Sequence, residues 1–265
     1  MKEGTEISGK NHSGKVLLLD LDGTLGLSLI PEEDAISETL KFISEELAKR
    51  LGRTIDEEEM RTLYKETKNE QYKIYHLNPK RHDKNLRWMM LLHKLENKLG
   101  VRLPESFYEE VKERYWSVFE SKAEPYPDTK ETLEKLMEKF TVVIVTNNDY
   151  AEAQKKIKLF GLKEGEHYDA LVTSEDFNVC KPSPEFLKTL FPFLEQKLSR
   201  IVRPEHIVIV GDDPKNDIAW ARTIGAKAIR VKRDLLAKHD PSNESEKADH
   251  VIENLSELLK ILDKV

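Results

Sequence analysis

Two aspartates follow an unbroken apolar run, Val16 to Leu19: Asp20 comes directly after it, and Asp22 comes two residues later. Such a run between polar flanks is typical of a buried strand, and Gly23 and Thr24 end it. The carboxylates then lie at the C-terminal end of the strand, where open parallel sheets bind their ligands. Two like charges beside a core need a cation or protons to neutralise them, and Mg²⁺ suits an all-oxygen site. The pattern predicts such a site or, alternatively, a simple acidic turn, since Asp-Gly pairs are common in turns.

Three more polar clusters follow apolar runs later in the chain: Thr146 with Asn147, then Lys181, then Asp212, Asp213 and Asp217. The strand ends of a doubly wound sheet can meet at one crevice, so we expect these side chains to converge with Asp20. A carboxylate such as Asp20 can attack phosphorus, while a hydroxyl, an ammonium and backbone N–H groups can hold phosphate oxygens. Asp22 can exchange a proton with the leaving oxygen.

The acidic cluster offers two neighbouring candidates for a metal ligand, Asp212 and Asp213. Asp213 precedes Pro214, and an Asp-Pro pair commonly starts a helix with the aspartate as N-cap. Asp212 is therefore the predicted ligand. Asp217 is either part of the site or a first-turn carboxylate at a helix start.

The elements that must position these residues alternate between strand and helix after Pro125. Apolar runs predict strands at 141–146, 169–173, 206–211, 226–231 and 249–252, with helical patterns between them. Strands that alternate with helices predict parallel crossovers. The predicted fold class is therefore α/β, a doubly wound parallel sheet that forms a Rossmann-like core.

The stretch from Leu27 to Glu124 has helical spacing of its apolar residues and no strong strand. It predicts four helices joined by short connections, which favours an antiparallel bundle. In the third helix, five residues are expected in or near the buried stripe: Leu86, Met89, Met90, His93 and Leu95. An insert of this length needs structure of its own. We therefore predict an α/β core from residues 15–26 and 125–265, and an inserted helical subdomain from residues 27–124.

Together these motifs resemble those of the haloacid dehalogenase superfamily of phosphohydrolases. The matching segments are Asp20-Leu-Asp22-Gly-Thr24, Val145-Thr146-Asn147, Lys181-Pro182, and Gly211-Asp212 followed by Asp217. The resemblance implies that Asp20 is the nucleophile and Asp22 the acid/base. It implies Mg²⁺ as cofactor, bound by the Asp20 carboxylate, the Asp22 backbone carbonyl and Asp212. Asp217 is implied as support for this site.

The remaining site residues follow from the same motifs. Thr146 and Lys181 are expected to act in catalysis and, with Asn147, in binding the substrate phosphate. The resemblance also identifies the helical insert as a cap subdomain, which is expected to close over the crevice and select small substrates.

These residues predict a Mg²⁺-dependent phosphatase that hydrolyses a small phosphorylated metabolite through an aspartyl phosphate. A phosphomutase of the same superfamily shares all four motifs and is the alternative. A dehalogenase is disfavoured, because its chemistry needs neither Asp22 nor a metal site. A non-catalytic, receiver-like phosphoryl-binding protein is also disfavoured, because its acceptor usually lies on a later strand whereas Asp20 ends the first.

The composition of the chain limits the kinds of partner and the location that we expect for the protein. Lys and Arg number 43 and Asp and Glu 49, a net charge of −6, which gives no general attraction to nucleic acid or anionic membranes. The single cysteine, Cys180, excludes an internal disulfide. No apolar run approaches the ~20 residues of a membrane helix, and the polar segment Met1 to Ser13 lacks the features of a secretion signal. We expect a small phosphorylated substrate, no nucleic-acid or membrane partner and a cytoplasmic location; the oligomeric state is left open.

Overall fold

The apolar run that precedes the first aspartates forms β1 (Val16–Leu19), a central strand of a parallel sheet. The computed structural model describes residues 14–27, 29–233 and 240–262, so the polar segment Met1 to Ser13 lies outside the described residues. All four residues of β1 are buried, as expected for a strand covered on both faces. The run ends where the carboxylates begin, because an unpaired charge is costly in an apolar core.

The other strands follow the predicted order. Two short strands, β2 (Gly26–Leu27) and β3 (Glu124–Pro125), pair antiparallel where the helical insert leaves and rejoins the chain. The rest are β4 (Thr141–Thr146), β5 (Ala170–Thr173), β6 (Ile207–Gly211), β7 (Lys227–Val231) and β8 (His250–Ile252). Within the described residues, the main sheet has the order β5-β4-β1-β6-β7-β8, and all its neighbouring strands are parallel.

The register of the sheet places three strand ends level with one another. Leu19 lies opposite Ile144 of β4 and Val210 of β6. The next residue, Asp20, donates its backbone N–H to the Val210 carbonyl at 2.9 Å. Residues that follow β1, β4 and β6 therefore emerge at one edge of the sheet, and the predicted α/β doubly wound sheet is confirmed.

The chain divides into two compact units, Met1–Leu27 with Glu124–Val265, and Ser28–Ala123. The second unit consists of α1 (Leu29–Leu51), α2 (Glu57–Tyr75), α3 (Lys84–Leu99) and α4 (Glu105–Glu120). Each helix packs against its neighbour in sequence, and α1 also packs extensively against α4. The predicted inserted helical bundle is confirmed. Among the described residues, the structure contains no helix with the length and hydropathy needed to cross a membrane.

The buried face of α3 differs from the predicted one. Met89 is 41% exposed and His93 is also exposed, so their placement in or near the buried stripe was wrong. The buried apolar residues are Trp88, Leu91, Leu92 and Leu95, and of these the predicted stripe contained Leu95. Each residue turns a helix by about 100°, so a stripe that begins one position earlier faces a different side. Trp88 sets this phase, because its large ring packs between Tyr64 and Tyr115.

The helices of the first unit cover the sheet and anchor the site. They are α5 (Thr129–Met137), α6 (Tyr150–Leu159), α7 (Ser174–Phe177), α8 (Pro184–Leu198), α9 (Ala219–Arg222) and α10 (Leu258–Leu262). Phe186 of α8 and Trp220 of α9 join the apolar core formed by the strands. Their rings meet edge to face, with centroids 5.5 Å apart. This contact fixes the segment that follows β6 beside the loop that precedes α8.

Candidate active site

A buried lysine links two carboxylates at the level edge of the sheet. The Lys181 ammonium is 2.8 Å from Asp20 Oδ1 and 2.7 Å from Asp217 Oδ1, and it donates to the Val145 carbonyl at 3.0 Å. Only 3% of the Lys181 side chain is exposed. Burial lowers the pKa of Lys181, but the Asp20 and Asp217 carboxylates outweigh it and raise that pKa above its usual value. The ammonium is therefore charged at neutral pH.

Three carboxylates converge at this point. Asp20, Asp212 and Asp217 each offer an oxygen, and these oxygens all lie within 4.8 Å of one another. The Lys181 ammonium contacts two of the three and brings one positive charge against three negative ones. A set of close, partly buried oxygen ligands with excess negative charge fits a hard divalent cation. The expected convergence of strand-end residues is thus present in the fold.

The loop that follows β6 brings Asp217 back against the strand. A π-helical turn, Pro214–Ile218, carries Asp217, and its Oδ2 accepts the backbone N–H of Asp213 at 3.1 Å. A Cβ at position 211 would overlap the Asp217 carboxylate, so this close approach requires Gly211. The Asp213 side chain accepts the backbone N–H groups of the next turn. The interpretation of Asp213 as an N-cap is confirmed.

A second glycine opens the space that Asp212 occupies. Gly23 has a φ of +80°, and a Cβ there would overlap the Asp212 carboxylate. Glycine satisfies both demands, because it adopts positive φ without strain and has no Cβ. The Asp-Gly pair of the first motif thus lets two distant segments share one site.

Asp22 does not point its carboxylate into the cluster of three. Its Oδ2 accepts from Asn148 Nδ2 at 2.8 Å, and the Lys156 ammonium is 2.9 Å from both Asp22 oxygens. Lys156 also contacts Glu152 Oε1 at 2.6 Å. Burial lowers the pKa of Lys156, but the Asp22 and Glu152 carboxylates outweigh it and raise that pKa. The side chain predicted as acid/base is therefore held by groups from the segment after β4.

Sequence reasoning missed three of these neighbours: Asn148, Glu152 and Lys156. One signal was present, because Glu152 and Lys156 are four residues apart on α6, a spacing that places them together on a helix face. Such pairs are usually solvent-exposed, whereas each side chain of this pair is only 3% exposed. Burial distinguishes it from an ordinary surface pair.

Thr146 and Asn147 lie at the end of β4 and have different surroundings. Thr146 is buried, and its hydroxyl oxygen accepts the Asn148 backbone N–H at 3.2 Å. The Asn147 side chain pairs twice with the Lys181 backbone: its Nδ2 donates to the carbonyl at 3.0 Å and its Oδ1 accepts the N–H at 2.7 Å. Asn147 thus holds the backbone of Lys181 in place. The group that Asn147 can offer to a phosphate is its backbone N–H.

Comparison with known proteins places this geometry in a family. The profile of the haloacid dehalogenase-like hydrolases matches residues 17–231. The chain is 30% identical over 253 residues to the glyceraldehyde 3-phosphate phosphatase of Methanopyrus kandleri, which covers 94% of this chain and 97% of that protein. It is 29% identical over 153 residues to the ribulose-1,5-bisphosphate 5-phosphatase of Halopiger xanaduensis, but this match spans only 56% of the chain and 61% of that relative.

A solved structure supports the same assignment. The crystal structure of a HAD phosphatase from Thermococcus onnurineus superposes with a TM-score of 0.65 at 30% identity, over 94% of this chain and 97% of that one. The chain belongs to the haloacid dehalogenase-like hydrolase family, as its motifs predict.

Proposed function

We propose that this protein is a Mg²⁺-dependent phosphatase that hydrolyses a small phosphorylated metabolite through an aspartyl phosphate on Asp20. The observation that carries the proposal is the buried ammonium of Lys181 between Asp20 and Asp217, with Asp212 beside them. This arrangement combines a carboxylate nucleophile, a fixed cation and a set of metal ligands at one sheet edge. Relatives named as phosphatases of small phosphorylated compounds support the reaction class.

Mg²⁺ would be held by the carboxylates of Asp20 and Asp212 and by the backbone carbonyl of Asp22, with Asp217 in support. When bound, the ion supplies positive charge that offsets the negative charge of the phosphoryl group. Three close carboxylates beside the Lys181 ammonium suit a divalent cation.

The chain's own residues then carry out two displacements. In the first, an Asp20 oxygen bonds to phosphorus, the bond from phosphorus to the leaving oxygen breaks, and Asp22, in its protonated form, gives that oxygen its proton. In the second, a water oxygen bonds to phosphorus and its proton passes to the Asp22 carboxylate, the bond from phosphorus to Asp20 breaks, and inorganic phosphate is released. Asp20 and Asp22 are thereby restored to their starting states.

Three groups are proposed to hold the phosphoryl oxygens during both displacements. They are the Lys181 ammonium, the Thr146 hydroxyl and the Asn147 backbone N–H. All three come from segments that the fold fixes in advance, since Lys181 and Thr146 are buried and the Asn147 side chain is paired with the Lys181 backbone. Donors fixed in advance stabilise developing charge without reorganisation, and loss of one such donor costs about 10²–10³ in kcat.

The test is hydrolysis of phosphate esters by the wild type and by Asp20→Asn. The panel contains glyceraldehyde 3-phosphate, ribulose 1,5-bisphosphate, nitrophenyl phosphate and a phosphopeptide, each with Mg²⁺. We expect turnover of at least one small ester and a loss of about 10³-fold or more in Asp20→Asn. Asp34→Asn, which changes an exposed carboxylate paired with Lys122, is the matched control. Substantial activity in Asp20→Asn would refute the aspartyl phosphate, and transfer of phosphate within a sugar would indicate a mutase instead.

A further inference from the structure

A second buried lysine, Lys156 on α6, is not used by the proposed chemistry. Its side chain is 3% exposed and lies 2.9 Å from each oxygen of Asp22. The Asp22 side chain is 21% exposed, so Asp22 is more open to solvent than Lys156 is. A buried charge needs a specific partner, and the Asp22 carboxylate is such a partner for Lys156.

The ammonium is itself held firmly. It contacts Glu152, one helical turn earlier, at 2.6 Å, and Glu152 is likewise 3% exposed. The first turn of α6 is fixed by Asp149, whose side chain accepts the Glu152 backbone N–H at 2.8 Å. Ala153 and Ile157 of the same helix are buried in the core. The position of Lys156 is therefore set by a capped and packed helix rather than by a loop.

Asp22, in contrast, lies in the loop that follows β1 and depends on outside groups for its orientation. Lys156 and Asn148 approach its carboxylate from the segment after β4, and Asn148 donates to Oδ2 at 2.8 Å. Two donors on one carboxylate restrict rotation of the whole side chain. A catalytic group that is misplaced by about 1 Å can lose about 10²-fold in rate, so this restraint affects the step that Asp22 performs.

We propose that Lys156 is a positioning residue for Asp22: it holds the carboxylate at the orientation in which it can meet the leaving oxygen and the attacking water. The inference rests on the proposed function, because it assigns Lys156 to the acid/base of that reaction. A purely structural ion pair is the competing explanation. The two explanations differ in whether the activity lost on removal of Lys156 depends on the leaving group of the substrate.

The experiment compares two substrates in Lys156→Met. The parameter kcat/KM reports the first displacement, and a nitrophenolate leaves with little need of a proton whereas an alkoxide depends on one. We expect kcat/KM for an alkyl phosphate to fall about 10- to 100-fold, and that for nitrophenyl phosphate to fall less than about threefold. Lys158→Met is the matched control, because Lys158 is on the same helix but exposed. It should leave both values unchanged.

A double-mutant cycle with Asp22→Asn gives an independent readout. If Lys156 acts through Asp22, then Lys156→Met added to Asp22→Asn should lower activity by less than about threefold, since coupled residues are not additive. Equal losses on both substrates in Lys156→Met, or full additivity in the cycle, would assign Lys156 to structure alone and overturn the inference.

Folding is checked separately by circular dichroism and thermal unfolding. Lys156→Met leaves Glu152 buried without its cation, so Lys156→Met/Glu152→Gln is made in parallel and tested in the same way. Loss of folding in both variants would also assign Lys156 to stability and overturn the positioning role. A wild type that hydrolyses no phosphate ester would instead refute the proposed function. If the wild type is active but Lys156→Met loses activity equally on both substrates, only this inference is overturned.

Discussion

Replacement of Lys181 by methionine tests how strongly the site depends on its buried ammonium. Methionine keeps much of the length of the side chain but removes the charge and all three hydrogen bonds. The substitution leaves Asp217, which is 2% exposed, and Asp20, which is 11% exposed, without the cation that separates them. The variant therefore leaves uncompensated negative charge next to the core of the folded protein.

The size of the effect follows from the two ion pairs. At an effective dielectric constant of about 20, opposite charges at these distances attract by about 6 kcal/mol per pair. Desolvation of the ions offsets several kcal/mol of this attraction. Loss of one partner from a buried pair typically costs about 3–5 kcal/mol, because the other charge stays buried and unpaired. We expect Lys181→Met to lower the free energy of unfolding by that amount when metal is removed with EDTA.

The assay is urea-induced unfolding followed by circular dichroism, with EDTA and then with saturating Mg²⁺. Because a divalent cation would neutralise the same carboxylates, Mg²⁺ should recover part of the lost stability in Lys181→Met. Lys188→Met, at a side chain that is 75% exposed, is the control and should show no measurable change. A loss below about 1 kcal/mol in EDTA would refute the view that this ammonium stabilises buried carboxylates, because a buried pair is expected to cost more.

The pH dependence of this contribution has a definite sign. The pKa of Lys181 is raised above 10.5 in the folded protein. A raised pKa means that the stabilisation is fully present below the unfolded value and is lost as pH rises through the folded one. The difference between wild type and Lys181→Met should therefore be lost only at strongly alkaline pH. Loss of this difference between pH 6 and 9 would contradict the assignment.

Three further predictions test other parts of the chain. EDTA should abolish activity and Mg²⁺ should restore it. Asp212→Ala should impair Mg²⁺ binding and turnover more than Asp213→Ala, because the Asp213 side chain caps a turn; the reverse order in a Mg²⁺ titration would contradict the assignment. Asp22→Asn should release a burst of nitrophenol and then turn over slowly, because the aspartyl phosphate lacks a base for its hydrolysis; unchanged steady turnover in rapid-mixing experiments would exclude Asp22 from the reaction. Burial and nearby cations lower the pKa of His82 from 6.5 to about 3, so its protonation favours the unfolded chain and stability should fall by about 2 kcal/mol from pH 8 to pH 5. His82→Gln should remove that part of the loss in thermal unfolding, and an unchanged pH profile would exclude His82 as its source.

The sequence by itself determined the sheet, the family and the order of the motifs. The run before Asp20 predicts a buried strand because its four residues are apolar and its neighbours are not, and the structure confirms it. The four motifs come in a fixed order, three of them at the ends of strands and Lys181-Pro182 in the loop after α7, and the family match confirms the resemblance drawn from them. The strand and each separate motif are readable because each depends on neighbouring residues, and the order of the motifs is read directly along the chain. The catalytic roles of Asp20, Asp22 and Lys181 stay predictions for the experiments above.

Only the tertiary structure decided which groups surround each functional side chain. Asp22 and Lys156 are 134 positions apart, and no local pattern links a loop aspartate to a lysine on a later helix. The same holds for the Asn147 side chain, which pairs with the Lys181 backbone across 34 positions. The phase of α3 likewise depends on how Trp88 fits between rings from two other helices. In each case the partner is chosen by the space and charge that the folded chain brings close, and that information does not lie in the spacing of neighbouring residues.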